Sequence, residues 1–244
     1  RKRKSPFFLY VAYTAPHSPY QGPDDPHERP LPQDSERWNQ SKGTRETYVA
    51  MVERMDEGVA KILRALDTAG VASDTVVVFT SDNGATRSGI CGALRGFKGS
   101  TYEGGIRVPA LVRWPGKLLA GTSSEQVSIT MDFTVSFGAL AGTALPPGRA
   151  FDGMDILGHL AAGRAPVPRT LCWRMRRGDR TKWAALDGAM KLVRERTGER
   201  EEAHLFDLAN DPDESSDIKE MRGETLEKLK AALAAWEQRV KPMR

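Results

Sequence analysis

Three short stretches of this chain hold residue types that could do chemistry together. Ser81-Asp82-Asn83-Gly84 ends an apolar, β-branched run, Thr75-Val76-Val77-Val78-Phe79-Thr80. A carboxylate beside an amide offers hard oxygen donors, which suit Ca²⁺ or Mg²⁺ rather than zinc, and Gly84 lets the backbone turn away sharply. Taken alone, the same four residues describe an ordinary Asx turn at a strand end. Lys98 lies between Gly96 and Gly99, where glycines permit close backbone approach and the ammonium is a compact charge for an anion. His17 stands between Pro16 and Pro19 after the apolar run Phe7–Tyr13, and a stiffly held histidine is a good general acid. Glu103 and Arg107 read as architecture, a tight turn with an internal ion pair. His27, His159 and His204 have no such context and receive no role.

Elements must position these residues. The run 7–13 is continuous and apolar, which suits a strand covered on both faces. From Thr14 to Lys42 the chain is rich in Pro, Asp and Gln and reads as a long loop. Val52, Met55, Val59, Ile62, Leu63 and Leu66 recur at helical spacing, which predicts a helix over 44–69 closed by Gly70. The strand over 75–80 follows at once. Strand, helix, strand is a crossover unit and implies a mainly parallel sheet flanked by helices. A further strand is expected over 108–114 and a helix over 132–141. Gly, Pro and Ala dominate 142–168. We therefore expect an α/β portion over 1–145, a linker over 146–168 and a small α+β subdomain over 169–244. In that subdomain, short strands over 170–175, 182–186, 190–194 and 204–206 precede a helix over 216–240. Its inward face is expected to carry Ile218, Met221, Leu226, Leu229, Leu233 and Trp236.

Composition narrows the class. The chain has 244 residues, 39% hydrophobic and 28% charged, an ordinary globular mixture. No apolar run reaches the length of a membrane span. The net charge is +4, with basic clusters at Arg1–Lys4 and Arg174–Lys182. Neither interleaves aromatics as a single-strand platform does, so nucleic acid is not an expected partner. A basic surface suits an anionic substrate by steering. Two cysteines, Cys91 and Cys172, are too few for a disulfide framework or a structural zinc site. The chain opens on Arg1 just before an expected strand, and reads as the C-terminal part of a longer protein.

Jointly the motifs resemble the sulfatase family, of the arylsulfatase type within the alkaline phosphatase superfamily. Pro16-His17-Ser18-Pro19 resembles its Pro-His-x-Pro segment. Val78 through Gly84 resembles its metal-ligand strand, and Lys98 through Pro109 its Lys-Gly-x-x-x-Glu-Gly-Gly-x-Arg-Val-Pro stretch. Leu186–Val193 and His204–Glu214 are similar to its C-terminal subdomain.

The resemblance implies a sulfuric ester hydrolase. Asp82 and Asn83 would be two ligands of Ca²⁺ (or Mg²⁺). Lys98 and His17 would be catalytic and contact the sulfate, His17 also protonating the leaving alcohol. The nucleophile would be a formylglycine expected upstream of this chain. Cys91-Gly92-Ala93-Leu94-Arg95 formally fits a relaxed Cys-x-(Pro/Ala)-x-Arg formylglycine signature. In the family that signature precedes the Asp-Asn-Gly strand, so the match here reads as coincidence. The N-terminal aspartate pair and the Lys-Trp-His-type segment also have no counterpart. The expectation is that these 244 residues alone are inactive. The substrate would be a sulfated small molecule or carbohydrate, and the compartment periplasmic, secreted or lysosome-like. The alternatives are a phosphoesterase of the same superfamily and a non-catalytic relic of the fold.

Overall fold

The computed structural model describes residues 5–23, 25, 34, 44–143, 148 and 150–240. The basic cluster Arg1–Lys4, His27 and most of the expected loop 14–42 beyond Pro23 lie outside them. Two compact units divide the chain. The first takes residues 1–78, 86–90 and 112–116; the second takes 79–85, 91–111 and 117–244.

In the first unit, helix α1 spans Arg45–Thr68. The Thr44 hydroxyl caps its start by accepting from the Thr47 amide at 3.2 Å. Its end is a Schellman turn. Gly70 adopts φ +66°, Val71 N–H donates to the Leu66 carbonyl and Gly70 N–H to that of Asp67. The expected inward residues Val52, Met55, Val59, Ile62, Leu63 and Leu66 are all half-buried, and Met51 is buried. Tyr13 packs on this helix at Gly58, where an added Cβ would fall 2.2 Å from its hydroxyl. Tyr20 is buried, donates to Ser88 Oγ at 3.2 Å and meets Tyr48 edge-on.

The run Phe7–Tyr13 corrects an expectation. It is in no strand, and it is exposed, Tyr10 to 80% and Phe8 to 72%. A strand covered on both faces needs neighbours along both edges, and the run is part of neither described sheet. Among the described residues a mainly parallel sheet is likewise not seen. β1 (Val77–Thr80) and β2 (Ala110–Arg113) form a sheet of only two strands. β1 is half-buried along its length rather than buried.

In the second unit, α2 (Glu103–Ile106) is a single turn that follows the glycine-rich loop. α3 (Thr130–Leu140) packs against α4 (Ile156–Ala161), so the stretch 146–168, expected as a linker, carries a helix with buried Ile156 and Leu157. Fully buried Asp132 ties this region together. Its carboxylate accepts from the amides of Ile129 and Met154 and from Arg169 at 2.8 Å.

Four strands then form an antiparallel meander in the order β3 (Thr170–Arg177), β4 (Arg180–Asp187), β5 (Met190–Thr197) and β6 (Arg200–Asp207). Each hairpin turns on two residues, the first being Gly178, Gly188 or Gly198 with φ near +60°. That is the position where a type II′ turn requires glycine. One sheet face packs Trp183, Ala185, Leu192 and Leu205 against Leu229 and Leu233 of α5 (Gly223–Arg239). The final helix is therefore shorter than the expected 216–240. Ile218 still packs on the core from the preceding loop, but Met221, expected inward, is 75% exposed. It precedes the helix, so helical spacing does not carry it to the buried face.

Candidate functional site

β1 ends at Thr80, whose hydroxyl donates to the Pro109 carbonyl at 3.1 Å. Asp82 and Asn83 follow at once. Two main-chain bonds fix this corner to the glycine-rich segment, and a third closes that segment on itself. Gly84 N–H donates to the Gly105 carbonyl at 2.9 Å, Lys98 N–H to that of Ala85 at 2.8 Å, and Gly104 N–H to that of Arg95 at 2.8 Å. The glycines are required by closeness. A Cβ on Gly84 would sit 2.0 Å from the Gly104 carbonyl oxygen, and one on Gly105 2.2 Å from that of Ser100. Gly96 and Gly99, on either side of Lys98, adopt φ +84° and +90°.

This packing opens a cavity of about 420 Å³ in the second unit. Asp82, Asn83 and Lys98 line it together with Gly99, Gly105 and Ile106. Asp82 and Lys98 are exposed, and neither forms an ion pair with a described residue. Among the described residues, the cavity thus presents an ammonium and a carboxylate without ion-pair partners. His17 belongs to the first unit. It is exposed, and its Nδ1 lies 2.7 Å from the Ser18 carbonyl. A carbonyl only accepts, so Nδ1 carries a proton and Nε2 is the atom left to exchange one.

Two further lining residues, Trp173 and Met175, come from β3. Neither residue belongs to the motifs that mark the site in the sequence. Register explains their placement. Leu171, Trp173 and Met175 project from one face of β3, while Arg174 on the other approaches Glu237 of α5 at 3.3 Å. The sheet therefore has two packed faces, one on α5 and one on the glycine-rich segment. On the second face, Lys182 Nζ donates to the Gly99 carbonyl at 3.0 Å, and Phe206 packs against Tyr102 with ring centres 6.0 Å apart. Alternating Leu171, Trp173 and Met175 was the available signal for a second apolar face.

A buried ionic cluster joins the same two layers. Lys191, wholly buried on β5, reaches Glu103 of α2 at 2.7 Å and Glu214 at 2.8 Å. Glu214 accepts from the Glu103 amide, and its own carbonyl accepts from Arg95 at 2.8 Å. Burial pushes the Glu214 carboxyl above its ordinary range, with Lys191 pulling it back down. Arg107 stands 3.6 Å from Glu103, the ion pair expected of the turn. Cys91 donates its thiol to the Gly104 carbonyl at 3.3 Å and does not line the cavity.

Among the described residues, no three His, Cys, Asp or Glu side chains cluster closely enough to hold a metal. Asp82 and Asn83 offer two oxygen donors of the right kind, and the described residues do not complete a coordination sphere around them. No described helix is long and apolar enough to cross a membrane.

Known proteins share the sequence and fold of this chain. The Sulfatase family profile matches residues 1–143, more than half of the 244. An uncharacterized sulfatase, YdeN, of Escherichia coli (strain K12) is 35% identical over 173 residues, 69% of this chain and 30% of its own. The human N-acetylgalactosamine-6-sulfatase is 38% identical over 168 residues, covering 66% and 30%. The crystal structure of Ps i-CgsB in complex with k-i-k-neocarrahexaose superposes with a TM-score of 0.82 at 29% identity, covering 96% of this chain and 51% of that one. This chain thus spans about a third of the curated relatives' length and half of that structure's. Its matched region, 1–143, includes the Asp82-Asn83 corner and Lys98, and on this ground the chain belongs to the sulfatase family.

Proposed function

We propose that the protein to which this chain belongs is a sulfuric ester hydrolase, and that Asp82, Asn83 and Lys98 form part of its active site. The observation that carries this reading is their convergence on one cavity at a strand end, with two side chains that form no ion pair among the described residues. The activity is assigned to the full-length protein rather than to these 244 residues alone, which cover 30% of the curated relatives compared above.

The reaction takes a sulfate monoester and water to an alcohol and sulfate, with one proton released. The Lys98 ammonium lies against the sulfuryl oxygens and stabilises charge that grows there as the S–O ester bond breaks. By resemblance alone, His17 would give a proton from Nε2 to the departing alcohol oxygen; its Nδ1 lies against the Ser18 carbonyl. Asp82 and Asn83 would hold Ca²⁺ or Mg²⁺ through their side-chain oxygens, with the remaining ligands from outside the described residues; bound there, the cation supplies further positive charge to the sulfuryl group. The nucleophile, a formylglycine by resemblance, lies upstream. A sulfated carbohydrate is the substrate class we favour. Support comes from the N-acetylgalactosamine-6-sulfatase relative and from the neocarrahexaose bound to Ps i-CgsB.

The test is turnover of sulfate and phosphate monoesters of one sugar by the full-length protein. Sulfate release that exceeds phosphate release and falls in the Lys98→Ala variant supports the reading. Faster phosphate release would assign the site to a phosphoesterase, and no release of either would leave a binding protein.

A further inference from the structure

The sulfuryl-binding residues account for only one wall of the cavity. Opposite chemistry lines another. Trp173 is half-buried and Met175 exposed, both on the β3 face turned away from α5. Among the described residues no group takes the indole N–H of Trp173, whereas that of Trp183 is held by Glu237 at 2.7 Å. A large apolar surface left partly open, with an unused donor at its edge, is the usual character of a ligand wall. Its position against the anion site is fixed, because Lys182 on the neighbouring strand donates to the Gly99 carbonyl beside Lys98.

We propose that Trp173 is a specificity-determining residue that receives the ring of a pyranose sulfate, with Met175 extending the surface. The inference rests on the hydrolase reading for the identity of the anion. A sulfate ester has two ends of unlike chemistry. The sulfuryl group goes to Lys98, so the carbon skeleton must lie on a different wall of the same cavity. A pyranose presents a face of C–H groups, which packs on an indole, and rim hydroxyls, one of which can accept from the free indole N–H. A two-carbon ester has neither feature and gains little from Trp173.

The experiment compares galactose 6-sulfate with ethyl sulfate in the full-length protein, as wild type, Trp173→Ala, Trp173→Phe and Met175→Ala. Turnover and binding are read separately, binding by calorimetry with inorganic sulfate as a third ligand. Trp173→Ala is expected to raise KM and Kd for the sugar ester roughly tenfold. It leaves ethyl sulfate and inorganic sulfate within about twofold, with kcat little changed. Trp173→Phe restores most of the loss and Met175→Ala shows a smaller one. Equal weakening for all three ligands, or none for the sugar, overturns the role of Trp173 while leaving the hydrolase reading intact. Wild-type protein that binds the sugar ester through Trp173 yet releases no sulfate overturns the hydrolase reading alone. Neither binding nor release overturns both.

Discussion

Lys191 and Glu103 meet at 2.7 Å with both side chains out of solvent, one on the third strand of the C-terminal sheet, the other on the turn behind the candidate site. Glu214 completes the cluster on the same ammonium. Removing the cation strands two buried carboxylates, and breaking a buried pair from one side costs about 3–5 kcal/mol. Lys191→Met is expected to lower stability by that order in urea unfolding. Adding Glu103→Gln and Glu214→Gln should recover part of it, because the uncompensated charge is gone. A single variant within about 1 kcal/mol of wild type would show that the cluster is not held as described.

Gly84 and Gly223 should respond to alanine with opposite signs. At Gly84 the new methyl meets the Gly104 carbonyl oxygen at 2.0 Å, a backbone atom that cannot step aside. We expect destabilisation of about 1–3 kcal/mol and loss of sulfate release, since Asn83 precedes it directly. Gly223 begins α5, and a Cβ there meets nothing within 4 Å. Alanine should stabilise by about 0.4–1 kcal/mol through the unfolded chain. Paired thermal melts decide both.

These residues also show what the sequence could and could not tell. The Asp82-Asn83 corner and the glycines around Lys98 were legible because turn chemistry is local. So was α1, from its helical period. Lys191 was not legible as buried, because a strand lysine ordinarily reaches water, and only Glu103 and Glu214, far away in sequence, make its burial tolerable. Trp173 and Met175 were not legible as lining residues, because alternation with Leu171 marks an apolar face but not what covers it, and the glycine-rich segment that does so is far away in sequence. Phe7–Tyr13 failed in the other direction. Its composition states a capacity for burial, and burial also requires neighbouring strands.

Acid should unfold the C-terminal sheet through Asp217. Partial burial raises its pKa, but hydrogen bonds from the Leu205 amide, His204, and the Lys219 amide and ammonium outweigh that and bring it down to about 2. The folded value lies below the unfolded one, near 3.8. The unfolded state therefore binds more protons between the two, and stability falls as pH drops through that window. Unfolding free energy followed from pH 5 to pH 2 should decline less steeply in Asp217→Asn. An identical slope in both proteins would remove Asp217 as the cause.

Lys98 separates function from folding. Its ammonium has no protein partner among the described residues, so Lys98→Ala should leave the melting temperature unchanged. Removal of one fixed charge-stabilising group commonly costs about 10²–10³ in kcat. Lys98→Arg keeps the charge but spreads it over a planar fork, and should recover only part of the rate. Sulfate release with the sugar ester measures this. A kcat within threefold of wild type in Lys98→Ala would move the sulfuryl group to another cation.

Cys91 offers the sharpest separation of a sequence pattern from a site. It satisfies the relaxed formylglycine spacing with Ala93 and Arg95, yet its thiol is spent on the Gly104 carbonyl and it does not line the cavity. Arg95, the last residue of that pattern, is likewise engaged, donating to the Glu214 carbonyl and stacking 4.2 Å from the Tyr102 ring. A nucleophile must reach the ester beside Lys98, and these contacts hold the segment as structure. Cys91→Ala is therefore expected to keep wild-type kcat within about threefold, with a small loss of stability from one weak hydrogen bond. Intact-mass analysis of the peptide containing residue 91 should show an unmodified thiol. An aldehyde at that position, or abolished turnover in the folded variant, would make Cys91 the nucleophile.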